Sequence, residues 1–403
     1  MSAVMWDFII SSVIIFLGFI GVMLFKVFSI PEIIFLILFG IFLGPIFNFF
    51  NFSNISSVLP YFTCFAIAVL MFDSGLRLKI ERLFENSKLI YLSLLSFIFS
   101  FSVISILFKF LFNFRWAISL AFGALFGGCG NTVLLTLLRS MNIKEESLTY
   151  FSFELAFSNI LSFIVALSSL NYLSMGVVKI VESLKMIFTQ FSAGIMVGGL
   201  IGVLWLIIIY AIRREEYFYI LTLAILIAAY SFAEGMDGSG PLASLIFGFI
   251  IGNYERVGRI FGFKFDVHEV GSIRYLLGGL HSEITFLIRV FFFVILGLSF
   301  TVASSFEFLF GLLITLLLFL GRFFVMLPLT IKREFSYEKY FFYLNVGRGL
   351  ATAVLSFIIS SQLSDLSNFI LNLSIYVLIF SNLLMSILVK LTLRELTPVV
   401  SVK

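Results

Sequence analysis

Two glycine-rich stretches interrupt membrane-length apolar segments of this chain. Gly127-Gly128-Cys129-Gly130-Asn131 lies in the segment from about 116 to 138, and Asn345-Val346-Gly347-Arg348-Gly349 in the segment from about 339 to 361. Backbone inside a bilayer can leave the helix only where it is buried in protein or lines a watery cavity. Gly-interrupted spans at corresponding places in two halves of a chain point to the substrate site of a transporter. Charges stand beside both breaks. Glu154 falls in the sixth apolar segment and Arg348 in the second break. A charge near mid-membrane costs about 2.5–3.5 kcal/mol or more, so each is a functional candidate. A buried carboxylate and guanidinium satisfy one another better than either is satisfied alone, and Glu154 and Arg348 are expected to pair. Such a pair either ties two parts of the chain together or also borders an ion site and responds to its occupancy. Ser158 and Asn159 follow Glu154 by four and five residues. That is just over one helical turn, which aims them at the break around Gly130-Asn131. The amide oxygens of Asn131 and Asn159, with carbonyls freed by the unwound backbone, suit a small cation. Hydrogen bonding between helices fits the same two amides. Asp73, four residues before Arg77, either pairs with that arginine at the cytoplasmic interface or faces a funnel into the site.

The segments that position these residues dominate the chain. It has 403 residues, 61% hydrophobic and 12% charged, with a mean hydropathy of +1.16. Soluble proteins are about 25% charged. A polar shell cannot be built from this composition, so the chain is read as an all-α polytopic membrane protein lying in the lipid bilayer, one transmembrane domain over 1–403. Apolar runs of roughly 17–25 residues are of spanning length. About thirteen are expected, centred near 18, 39, 66, 100, 127, 160, 199, 224, 246, 291, 317, 350 and 378. Long apolar runs exclude a porin-like barrel. The 55 Phe residues are assigned to lipid contact and helix packing. Cys64 and Cys129 are read as neither disulfide nor metal ligand, and His268 and His281 as too dispersed for a metal centre. No cofactor, enzymatic chemistry or nucleic-acid surface is expected. Arg289 and Arg322, also within spans, are expected to pair or snorkel.

Charge sets the orientation. Of 26 basic residues, 19 fall on one side of the alternating connections and 4 on the other, with Arg289, Arg322 and Arg348 inside spans. The positive-inside rule then puts the N-terminus outside and the C-terminus in the cytoplasm, consistent with an odd number of spans. The connection from 254 to 280 mixes apolar and basic residues and reads equally as a short interfacial helix or as a loop. The halves look related. Gly40 and Gly44 in the second span match Gly248 and Gly252 in the ninth, and the breaks fall in the fifth and twelfth, each pair seven spans apart. An odd offset inverts the second copy. The expected repeat units are about 8–173 and 217–391, joined by a connector helix at about 186–212.

Several motifs resemble the monovalent cation/proton antiporter superfamily, its sodium/proton branch in particular. Ile30-Pro31-Glu32 with Gly40 and Gly44-Pro45 is similar to that family's opening signature, and Phe72-Asp73-Ser74-Gly75-Leu76 to its Phe-acid-Gly-Gly-Leu segment. Ser239-Gly240-Pro241-Leu242-Ala243, the Phe-rich run from Phe291 to Leu298, and Gly347-Arg348-Gly349-Leu350-Ala351 resemble three more. The resemblance implies thirteen spans, two crossed broken helices (fifth and twelfth) and a homodimer. It also implies exchange of a monovalent cation such as Na+ for protons. Two departures stand out. Gly130-Asn131-Thr132 stands where the family reads Thr-Asp-Pro, and Ser158-Asn159 where it reads Asn-Asp. Both central aspartates are thus expected to be asparagines here, while Asp73 matches an acidic position that contributes to the site in some relatives.

Asparagine cannot titrate, and exchange needs a group that holds either a cation or a proton. Asp73 is therefore the first candidate for the proton and Glu154 the second. The expected cation and proton-coupling residues are Asp73, Gly130, Asn131, Thr132, Ser158 and Asn159, with Glu154 and Arg348 as a structural ion pair. The expected function is a secondary transporter working by alternating access. An uncoupled cation uniporter and a transport-deficient sensor on the same scaffold stand as alternatives.

Overall fold

The computed structural model of the chain describes residues 3–28, 30–50, 52, 55, 58–78, 80, 87–128, 134–135, 138, 145–174, 180–212, 218–262, 267–301, 304–331 and 339–400. Those residues are almost entirely helical. In chain order the helices are α1 (Ala3–Phe28), α2 (Glu32–Ile41), α3 (Leu59–Arg77), α4 (Ser87–Phe112), α5 (Trp116–Gly127), α6 (Glu145–Ser174), α7 (Ile180–Ile212) and α8 (Phe218–Gly235). There follow α9 (Gly240–Gly252), α10 (Tyr254–Ile260), α11 (Val267–Leu298), α12 (Ser305–Ile331), α13 (Lys339–Leu344), α14 (Leu350–Gln362) and α15 (Ser367–Val400). Seven helices among the described residues are long and apolar enough to cross a membrane, and six shorter apolar helices lie among them. Each expected span centre falls on one of these elements. The fold is that of an all-α polytopic membrane protein.

Local chemistry explains the irregularities. α2 widens into a π-helical turn over Phe42–Ile46, with Pro45 inside it. Proline has no N–H and clashes with the carbonyl four residues back, so the regular ladder cannot continue through it. The stretch at 254–280 is largely helical. α10 ends in a turn at Phe261-Gly262, with Gly262 at φ 78°, and α11 begins at Val267, well before its apolar part. The phenylalanines pack as expected: Phe108 stacks on Phe122 with ring centroids 4.1 Å apart, while Phe110 is exposed.

The helices form two compact units. One comprises residues 1–59, 91–170 and 289–403, the other 60–90 and 171–288. Each contains one glycine contact of the same design. In the first unit a Cβ on Gly40 of α2 would strike the carbonyl of Val294 in α11, and one on Gly297 would strike the carbonyl of Ile37. In the second, a Cβ on Gly248 of α9 would strike the carbonyl of Phe72 in α3, and one on Gly75 the carbonyl of Leu245. The obstructing carbonyl lies three residues before the partner glycine in every case. One turn on, Gly44 lies against Leu298 and Gly252 against the carbonyl of Leu76. Such small-xxx-small seams bring backbones into direct contact. Gly248→Ala is expected to lower stability by about 1–3 kcal/mol through overpacking. Gly199→Ala, where a Cβ meets nothing within 4 Å, should be neutral or slightly stabilising. Thermal unfolding of the two purified variants separates them; equal midpoints would remove the seam from the account.

Candidate functional site

The twelfth span is broken where its glycines predict. α13 ends at Leu344, the Val346 N–H folds back on Leu344 O at 2.8 Å, and Gly347–Gly349 are non-helical until α14 starts at Leu350. Unwound backbone at membrane depth must find partners within the protein. Here α15 supplies them. The Arg348 N–H donates to Ser381 Oγ at 3.2 Å, and Asn382 Nδ2 donates to Arg348 O at 2.8 Å.

Glu154 of α6 is fully buried, and its carboxylate is held by Arg322 of α12 in a bidentate pair. Arg322 NH1 meets Oε1, and NH2 donates to Oε2 at 2.8 Å. Asn345 Nδ2, from the break, donates to the same Oε2 at 2.9 Å. The rest of the guanidinium is used as well: NH1 donates to Ser96 Oγ at 2.7 Å and Nε to Phe342 O at 2.8 Å. This corrects the expected Glu154–Arg348 pair. The planar fork of an arginine matches both carboxylate oxygens only when it approaches in their plane. Arg322, midway along α12, is so placed, whereas Arg348 is buried in the break with its backbone fixed on α15. Arg289, the other arginine expected to pair or snorkel, pairs with Glu32 of α2 at 2.6 Å.

The fifth span leaves the helix at the expected point. α5 ends at Gly127, and Gly128 is extended at φ −70°, ψ 136°. α14 packs against α5. Gly128 lies tight against α6, where an added Cβ would strike Ser162 Oγ and come within 3.4 Å of Ser158 O. The backbone of the buried Ser158 therefore lies beside the start of this break, and Asn159 next to it is half-buried. Gly130, Asn131 and Thr132 lie outside the described residues.

Asp73 belongs to the second unit. Its Oδ2 accepts from Arg77 Nε at 2.9 Å, one turn along α3, the pairing that is one of the two readings of its spacing. Its Oδ1 lies 3.2 Å from Nε2 of His281 in α11, and His281 Nδ1 lies 3.1 Å from the Tyr219 hydroxyl of α8. The imidazole thus links the Asp73 carboxylate to the Tyr219 hydroxyl through its two ring nitrogens. Sequence reasoning missed Arg322, Asn345, His281 and Tyr219 as site residues. Arg322 carried a signal as a charge inside a span, and Asn345 one as the first residue of the glycine-broken stretch.

A polytopic α-helical transporter is what this fold and its broken, polar-lined span define. The sodium/hydrogen exchanger transmembrane family model matches residues 12–395, and the chain belongs to that family. Among curated relatives, the protein described as "Probable Na(+)/H(+) antiporter 2" of Methanocaldococcus jannaschii is 26% identical over 312 residues, 72% of this chain and 71% of that protein. The Na(+)/H(+) antiporter NhaH of Halobacillus aidingensis is 24% identical over 242 residues, 58% of this chain and 57% of that protein. The solved structure of the sodium proton antiporter MjNhaP1 from Methanocaldococcus jannaschii at pH 8 has the same fold. Its TM-score is 0.80 at 19% identity, covering 96% of this chain and 100% of that one.

Proposed function

We propose that the protein exchanges a monovalent cation, Na+ in the first instance, for protons by alternating access. The observation that carries this reading is the Asp73–His281 contact within a membrane-spanning unit. Exchange requires a group able to hold either a proton or a cation. Glu154 is committed, with Arg322 on both oxygens and Asn345 on one. Asp73 shares only one oxygen with an arginine and offers the other to an imidazole. Proton coupling is assigned to Asp73, whose carboxylate, unlike that of Glu154, is not gripped on both oxygens by an arginine. Cation coordination is assigned to Ser158 and Asn159 of α6 and to Gly130, Asn131 and Thr132 after Gly128.

The recurrence of one glycine seam in α2·α11 and α3·α9 supports inverted repeat units at about 8–173 and 217–391. Charge asymmetry supports an N-terminus outside and a C-terminus in the cytoplasm. A homodimer is proposed from the family resemblance. Asparagine at 131 and 159 favours a second reading, an uncoupled cation pathway.

The test uses purified protein in vesicles with an imposed Na+ or K+ gradient and a dye for internal pH. Proton movement that needs the cation and is abolished in Asp73→Asn is the expected result. Cation flux without proton movement selects the uncoupled pathway. Neither flux, with the fold intact, selects a transport-deficient sensor.

A further inference from the structure

The Glu154–Arg322 pair is balanced in charge, yet its carboxylate takes a third hydrogen bond. Asn345 Nδ2 reaches Oε2 at 2.9 Å, the oxygen that Arg322 NH2 reaches at 2.8 Å. Asn345 occupies the turn that ends α13 and is 4% exposed. Arg322 grips the same helix end, because its Nε donates to Phe342 O. That carbonyl is one of the last four of α13, which have no partner within their own helix. A cation there also suits the negative end of the helix dipole. The pair thus holds the edge of the break twice, once through the backbone of Phe342 and once through the side chain of Asn345. A hydrogen bond to an ionised group is stronger than a neutral one, so the second hold is substantial.

We propose that Asn345 is a positioning residue of the transport path. It fastens the break of the twelfth span to the buried Glu154–Arg322 pair, so that the pair sets where the unwound backbone stands. The inference rests on the reading of the broken spans as that path. Glu154 then has two tasks. It neutralises Arg322, and it supplies the acceptor against which the break is registered.

Moving the carboxylate tests the arrangement. Glu154→Gln leaves Arg322 without its anion and should sharply lower thermal stability and yield. Adding Asn345→Asp to that variant returns a carboxylate to the cluster, across the shared position of Oε2 from Arg322 NH2, and should restore most of the lost stability. A double variant as unstable as Glu154→Gln alone overturns the proposal. In the otherwise unchanged protein, Asn345→Asp sets two carboxylates at one guanidinium. Cation-driven proton flux should survive at low pH, where the two share a proton, and fall as pH rises. Asn345→Ala should raise the half-saturating cation concentration roughly tenfold, with a smaller effect on maximal rate. Wild-type pH profile and half-saturation in both single variants also overturn it. If the parent protein moves no ions but the stability rescue occurs, the transport reading fails and the fastening of the break stands.

Discussion

Arg322→Leu is expected to destabilise the protein by about 3–5 kcal/mol, the cost of removing one partner from a buried ion pair. Glu154 is completely buried and Arg322 is 1% exposed. The stranded carboxylate must then either remain charged without its counter-ion or take up a proton. Phe342 O and Ser96 Oγ lose their donor at the same time. The double variant Glu154→Leu/Arg322→Leu should recover much of the loss, since replacing a whole buried pair by apolar side chains is often neutral or better. Unfolding of the three purified proteins in detergent measures this. A single variant as stable as the parent, or a double variant no better than the single, would show that the pair does not bear on stability. Recovery of stability by the double variant is not expected to bring transport back, because the break loses the acceptor that Asn345 uses.

The spans, both breaks and the Asp73–Arg77 contact were legible in the chain because each depends on local sequence. Apolar length sets a span, glycine stands at the end of α5 and within the break between α13 and α14, and an i,i+4 spacing brings Asp73 to Arg77 within one turn of α3. The glycine seams were half legible. Spacing marked Gly40 and Gly248 as small, but not that Gly297 and Gly75 face them across another helix. The partner of Glu154 was not legible. Three arginines lie inside spans, and choosing among them depends on the rotation of α12 and α14 about their axes, which apolar composition on every face leaves unmarked. Arg348 attracted the assignment by standing among glycines, yet the break needs its backbone held, and Ser381 and Asn382 do that from 33 and 34 residues away. His281 was obscured for a related reason. It stands just past the 254–280 connection and far from His268, a separation that speaks only against a metal centre, and nothing marked it as one face of α11 turned to Asp73, 208 residues away.

Asn159→Asp is the substitution expected to change function most, by strengthening or creating pH-dependent exchange. Position 159 lies beside Ser158, whose carbonyl stands near Gly128 at the mouth of the fifth-span break, and five residues beyond the fixed charge of Glu154. It is half-buried. An amide there can offer an oxygen to a cation but cannot trade that cation for a proton. A carboxylate can do both, and an uncompensated charge in a span costs at least about 2.5–3.5 kcal/mol. The aspartate will therefore avoid bearing its charge alone. At low pH it holds a proton, and as pH rises it gives the proton up only in exchange for a cation, which is the coupling that antiport needs. Cation-dependent proton flux in Asn159→Asp should accordingly rise with pH across a range where the parent changes little. Combining it with Asp73→Asn shows which residue carries the proton: flux that persists in the double variant belongs to position 159. If Asn159→Asp folds and keeps the pH profile of the parent, position 159 does not contact the transported ion, and α6 must present a different face to the break that begins at Gly128.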